Sequence, residues 1–190
     1  MASIQVEVAR YALDPVVSRL QVRAFSTGML AGFGHNPDLS ARDFSGEIRV
    51  PSDGPAQGSL ELRVKAQALV VSSDIKEKDR REIERIMHSE VLESAAFPEI
   101  LFRSTAVAAE KTGEGQYRLT LDGDLLLHGV TASQQIVAYV SLSEEQVKAW
   151  GDFSILQSKF EIRPVSFAGG ALKLKDELKL SFDLVARREK

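Results

Sequence analysis

The feature that most constrains this chain is an alternation of period two. From Ser59 to Ala68 every second residue is apolar (Leu60, Leu62, Val64, Ala66, Ala68), and the residues between are Ser59, Glu61, Arg63, Lys65 and Gln67. Successive side chains of an extended strand leave on opposite faces, so this stretch predicts a strand with one buried and one wet face. The pattern returns at Gln116–Leu127, with Tyr117, Leu119, Leu121 and Leu125 facing inward. It returns again near the C-terminus, where Leu178, Leu180, Phe182, Leu184 and Ala186 alternate with Glu177, Lys179, Ser181 and Asp183. Weaker versions occupy Ile4–Val8, Arg19–Phe25, Phe44–Val50, Ile100–Ala108, Gln135–Leu142 and Phe153–Ile162, with turn-forming pieces such as Pro51–Pro55, Lys111–Gly115 and Phe167–Gly170 between them. Strands joined by short turns predict an all-β sandwich or up-and-down barrel. With no fixed-period repeat and no linker, residues 1–190 read as a single domain.

One segment follows a different period. Between Ile75 and Leu92 the apolar residues Ile75, Ile83, Ile86, Met87, Val91 and Leu92 are spaced by threes and fours, and the run from Lys76 to Glu82 is charged. Asp74 followed by Glu77 has the form of a capping box, and Pro98 ends the segment, so an amphipathic helix over about residues 74–93 is expected against the β structure.

What the barrel would enclose depends on its inward positions. Gly46, Ala66, Ala68, Ala106, Ala108 and Ala138 are small residues on presumed inner faces. A barrel of about eight strands is just wide enough either to be filled by its own side chains or to hold one small ligand. Small inner residues fit a cavity, and they equally fit large side chains interdigitating from opposite walls. The other inward residues are aliphatic or aromatic, so any occupant is expected to be rich in hydrocarbon. Burying about 400 Å² of such a chain at roughly 25 cal/mol per Å² supplies on the order of 10 kcal/mol before association costs, enough for micromolar binding without polar contacts to the tail.

Composition excludes several classes. The 24 basic residues against 27 acidic ones give a net charge of -3, which creates no field toward phosphate backbones, so nucleic acid is not an expected partner. The chain has no cysteine, which removes disulfides and thiolate chemistry. No stretch approaches the ~20 apolar residues of a membrane-spanning helix. The N-terminus lacks the pattern of a signal peptide, so the chain as written is expected to be cytoplasmic, or periplasmic if a leader has been removed. No P-loop, nucleophile elbow or zinc helix is present, and in Gly32–Pro37 a proline stands where the third glycine of a dinucleotide fingerprint belongs.

Three histidines remain as chemical candidates. His35, His88 and His128 are far apart in sequence and would form a metal site only by meeting at one barrel rim, the basis of an alternative reading as a metal-binding protein or enzyme. Strand parity puts His128 on the polar side of its strand with Asp122 and Asp124, where it would bond neighbouring backbone as the chain turns at Gly129. A flip of register at Gly123 would reverse that assignment.

The ordered set of motifs resembles a known family. Phe97–Thr105 (FPEILFRST) and Gly123–Thr131 (GDLLLHGVT) resemble the strand start and the histidine-bearing hairpin of YceI-like proteins. Upstream, Phe44–Ile48 is similar to that family's "FsG-i" strand, and Ser73–Ile75 with Asp79–Arg80 to its helix entry. The likeness runs from about Tyr11 to Arg187. It implies an extended lipocalin-like antiparallel β-barrel of about eight strands, a polyisoprenoid, prenyl quinone or other lipid-like ligand inside, no further cofactor and no catalytic residue set. On that reading the chain is a non-catalytic carrier or store. The ligand would run along Leu60, Leu62, Val64, Ile100, Phe102, Leu119, Leu121, Leu180 and Phe182. An uncovered edge strand would make a homodimer possible.

Overall fold

The computed structural model describes residues 7–27, 36–167 and 172–190. The alternating stretches form twelve strands: β1 (Val8–Leu13), β2 (Arg19–Thr27), β3 (Asp38–Ala41), β4 (Phe44–Pro51), β5 (Ser59–Lys65), β6 (Leu69–Val71), β7 (Glu99–Gly113), β8 (Gln116–Leu127), β9 (Val130–Leu142), β10 (Gln146–Leu156), β11 (Ser166–Phe167) and β12 (Leu172–Arg188). All pair antiparallel in one sheet. Eight of them close a barrel in the order β1-β4-β5-β7-β8-β9-β10-β12, and β12 returns to β1 through Leu13 opposite Ala186.

The length of β12 gives the barrel its extended form. Its 17 residues carry two partners in succession along one edge. The C-terminal end pairs with β1, and Lys173 to Asp183 pair with β2. The turn between β1 and β2 is stitched onto Val185, whose carbonyl accepts from Asp14 N (2.8 Å) and Ser18 Oγ (3.2 Å), while Val185 N donates to Ser18 Oγ (2.9 Å). From β2 the sheet continues through β3 to β6, a flap beyond the closed barrel.

The helix is α1 (Glu77–Ile86), which runs on into a π-helical turn over Met87–Val91. It is shorter than the expected 74–93, and the capping box does not form: Lys76 is the N-cap, and no side chain caps the helix. Two polar contacts tie it to the flap and a third to the segment that leads into it. Val71 N donates to Glu84 Oε1 (2.8 Å), His88 Nε2 bonds the Leu69 carbonyl (3.0 Å), and Arg80 Nη2 reaches the Ser73 carbonyl (3.4 Å). No helix among the described residues is long and apolar enough to cross a membrane.

Local detail departs from the expected strands in two places. The strand from Ser59 ends at Lys65, because Ala66 N bonds the Pro98 carbonyl (2.9 Å) and Ala66–Ala68 form a 3₁₀ turn. In β7 the register against β8 shifts between Ser104 and Ala106, a bulge that turns Ala106 and Ala108 outward and brings Val107 and Ala109 in. The bulge is in β7, and Gly123 itself keeps the inward parity of β8. A Cβ at Gly123 would lie 2.5 Å from the Phe102 ring, so the bare backbone there makes room for that ring inside the barrel.

Outside the wall, the chemistry is that of a solvated surface. Glu61 bonds Arg103 (2.7 Å) and pairs with Arg63 (2.6 Å), and these two guanidiniums, Arg103 foremost, hold its carboxyl below the ordinary carboxylate range. Exposed pairs of this kind contribute little to stability.

Candidate functional site

The barrel is hollow. A cavity of about 630 Å³ runs from the β4–β5 turn, at Pro55 and Gly58, to the opposite end, at Leu69, Met87 and Ile162. Its wall follows from strand parity. On β8 the inward residues Leu119, Leu121, Leu125 and Leu127 face it, and on β12 it meets Leu178, Leu180, Phe182 and Leu184. Ile136, Ala138 and Val140 of β9 and Phe153 and Ile155 of β10 complete that side. The helix and its π turn contribute Ile83, Ile86, Met87, Val91 and Leu92, so the amphipathic segment lays its apolar edge over the cavity.

All nine positions expected along a ligand (Leu60, Leu62, Val64, Ile100, Phe102, Leu119, Leu121, Leu180 and Phe182) line this one cavity. The small residues are a different matter. Of the six expected inside, only Ala138 lines it. Ala106 and Ala108 point outward, Ala66 is buried in the 3₁₀ turn, Ala68 is half-buried there without reaching the cavity, and the space beside Gly46 is taken by the Leu13 side chain. Ala24, Ala41 and Ala149 supply small wall positions instead. The cavity owes its size as much to the flap, through Ala24, Leu39 and Leu69, and to the helix as to thin walls.

Charge is nearly absent from this surface. The one charged residue on the described lining is Arg49, and its guanidinium bonds Glu47 on the solvent side. Gln157, just past β10, is a buried polar side chain on the lining, 3% exposed, and its Nε2 donates to the Lys175 carbonyl (2.9 Å). Sequence reading missed it, although it continues the inward parity of Val147, Phe153 and Ile155 and so stands as a polar residue on an apolar face.

Of the three histidines, the described residues include His88 and His128, and each is committed to other partners. His35 lies outside the described residues. His88 bonds the Leu69 carbonyl through Nε2 and Ser94 Oγ through Nδ1 (3.3 Å). His128 ends β8 in a two-residue turn with Gly129, both at positive φ (53° and 74°), the geometry of a tight I′ hairpin. Its Nδ1 bonds the Phe160 carbonyl (3.1 Å), its Nε2 meets Glu93 Oε2 (2.9 Å), and its ring lies edge-on to Phe97 at 4.6 Å. The rim position is as expected, but the backbone partner is Phe160, 32 residues away, rather than the adjacent turn. A ring nitrogen bonded to a carbonyl must carry a proton and has no lone pair for a metal. Among the described residues no three His, Asp or Glu side chains are grouped to hold one.

Comparison with known proteins agrees with this architecture. The model of the YceI-like domain matches residues 11–186. The chain belongs to the YceI-like family. No curated protein matches it. Among solved structures it is similar to BcnA of Burkholderia cenocepacia, with a TM-score of 0.68 at 16% identity over 91% of this chain and 98% of that one. It is also similar to a polyisoprenoid binding domain from Saccharophagus degradans implicated in plant cell wall breakdown (TM-score 0.67, 14% identity, 94% and 98% covered). The YCEI protein of Campylobacter jejuni gives a TM-score of 0.56 at 15% identity over 83% and 88% of the two chains. At these identities the likeness is one of fold, and the closed eight-stranded barrel with its helix is the YceI-like architecture.

Proposed function

We propose that this YceI-like protein binds an isoprenoid or other lipid-like chain inside its barrel and carries, stores or sequesters it without chemical change. The observation that carries this reading is the cavity. Its volume of about 630 Å³ falls within the roughly 300–1,000 Å³ usual for small-molecule sites, and its described wall is aliphatic and aromatic apart from a few polar positions. The polyisoprenoid binding named for the Saccharophagus degradans domain, which shares the fold, supports the same ligand class.

The physical case is one of apolar area. A hydrocarbon tail threaded past Phe102, Leu121 and Phe182 is desolvated on all sides, and the transfer term of about 25 cal/mol per Å² accumulates with each isoprene unit. Affinity therefore rises with chain length until the cavity is filled. The experiment is a competition assay on delipidated protein with prenols of increasing length. Binding at micromolar concentration or tighter that strengthens with length and then levels off is the expected result. No binding at any length would overturn the proposal.

A further inference from the structure

We infer that Gln157 recognises the polar end of the bound molecule, and that the head group it selects is neutral and both donates and accepts a hydrogen bond, as an alcohol does. This rests on the lipid-binding reading above. Three buried polar side chains occur among the described residues: Ser18, Ser94 and Gln157. Ser18 is committed to Val185 and Ser94 to His88. Only Gln157 lines the cavity.

Its bond to the Lys175 carbonyl fixes which end of the amide is nitrogen, because a carbonyl oxygen can only accept. One amide hydrogen is used there. The second hydrogen and the oxygen Oε1 have no partner among the described residues. Oε1 is not sealed off, since Arg80 Nε is the buried side-chain atom without a partner among the described residues. The Gln157 oxygen is therefore reachable beside the apolar cavity, and a ligand that supplies the missing partners is favoured over one that covers it without bonding. A hydroxyl supplies both at once. A pure hydrocarbon supplies neither.

The surroundings select against an anion. Ser158, the next residue, holds the Asp176 carboxylate through its backbone N (2.7 Å) and its hydroxyl. Lys175 is exposed, with its ammonium above the Phe25 ring at 5.9 Å. Gln157 also sits at one end of the cavity, beyond the last residue of β10. An alcohol bound there leaves its tail to run down the barrel toward Pro55.

The test is a competition assay on full-length, delipidated protein with geranylgeraniol, its monophosphate, and the hydrocarbon of the same skeleton lacking oxygen. Wild type is expected to bind the alcohol about thirtyfold more tightly than the hydrocarbon, the factor two net hydrogen bonds give. In Gln157→Leu that preference is expected to vanish while hydrocarbon binding persists. A preference unchanged in Gln157→Leu, or a monophosphate that binds more tightly than the alcohol, would overturn the assignment. Failure of wild type to bind any of the three would instead remove the lipid-binding reading and this inference with it. Should Gln157→Leu not fold, the side-chain amide resonances of Gln157 decide the matter in wild type: they are expected to shift with the alcohol and stay in place with the hydrocarbon, and equal shifts with both overturn the proposal.

Discussion

The wall made by β8 and β9 and the cover made by α1 with its π turn face the same cavity, yet they are held in different ways. The wall is a ladder in which every residue from Gln116 to Leu127 has a partner between Val130 and Ser141, and five of its inward side chains (Leu119, Leu121, Leu125, Ile136 and Ala138) are at most 8% exposed. On the cover only Met87 is buried, and the segment is fastened to the flap by two polar contacts, Glu84 to Val71 and His88 to Leu69. The wall is therefore the more deeply buried of the two, and on the lipid-binding proposal above the cover is the element whose opening would admit a ligand. Regions with few buried apolar contacts are where local opening is least costly.

The largest effect should come from the wall. Phe102→Ala removes a ring that is 4% exposed and packs against Gly123, and it is expected to cost about 3–5 kcal/mol in denaturant unfolding. A loss below about 1 kcal/mol would mean that the ring does not hold the barrel together. On the cover, Glu84→Ala leaves the buried Val71 N–H without its acceptor, at a cost of about 1–3 kcal/mol. Its diagnostic consequence is kinetic: ligand exchange should speed up by more than in Phe102→Ala, measured by stopped-flow displacement of a fluorescent lipid. Equal exchange rates would place the entrance elsewhere. A milder wall change, Ile136→Val, should cost about 0.5–1.5 kcal/mol and leave exchange unaltered.

The smallest effect concerns the seam where the barrel closes. Arg187 bonds Asp14 (2.8 Å) and, with the Val16 amide, holds its carboxyl below the ordinary value of 3.8. A carboxylate with a depressed pKa stabilises the folded state fully above its ordinary value, and that contribution is lost as the pH falls through the folded value. The stability difference between wild type and Asp14→Asn should accordingly be constant near neutrality and shrink in acid below 3.8. A difference that does not change with pH would show that the ion pair is not coupled to closure.

Much of the wall was legible in the sequence because one face of each strand is buried and the other wet. The parity of Leu119 to Leu125 and of Leu178 to Ala186 reads directly as inside. β3, β6 and β11, with four, three and two residues, are too short for any period to show, and they form the flap and its neighbour. The bulge after Ser104 reversed the reading of Ala106 and Ala108, because an extra residue leaves no mark in a run of Ser, Thr and Ala. Glu93 as the partner of His128 was invisible for another reason: 35 residues separate them, and only the hairpin turn and the exit of the helix bring them together. Gln157 was legible in principle, as a polar side chain at an inward position.

The account rests most directly on what the cavity holds. Native mass spectrometry of the full chain, after exposure to a total lipid extract, should show a stoichiometric apolar adduct released on collisional activation, and Ala138→Trp, which projects an indole into the cavity, should abolish that adduct while the protein stays folded. Bare protein mass in wild type, or an adduct of equal intensity in folded Ala138→Trp, would contradict the claim that the barrel interior is the binding site.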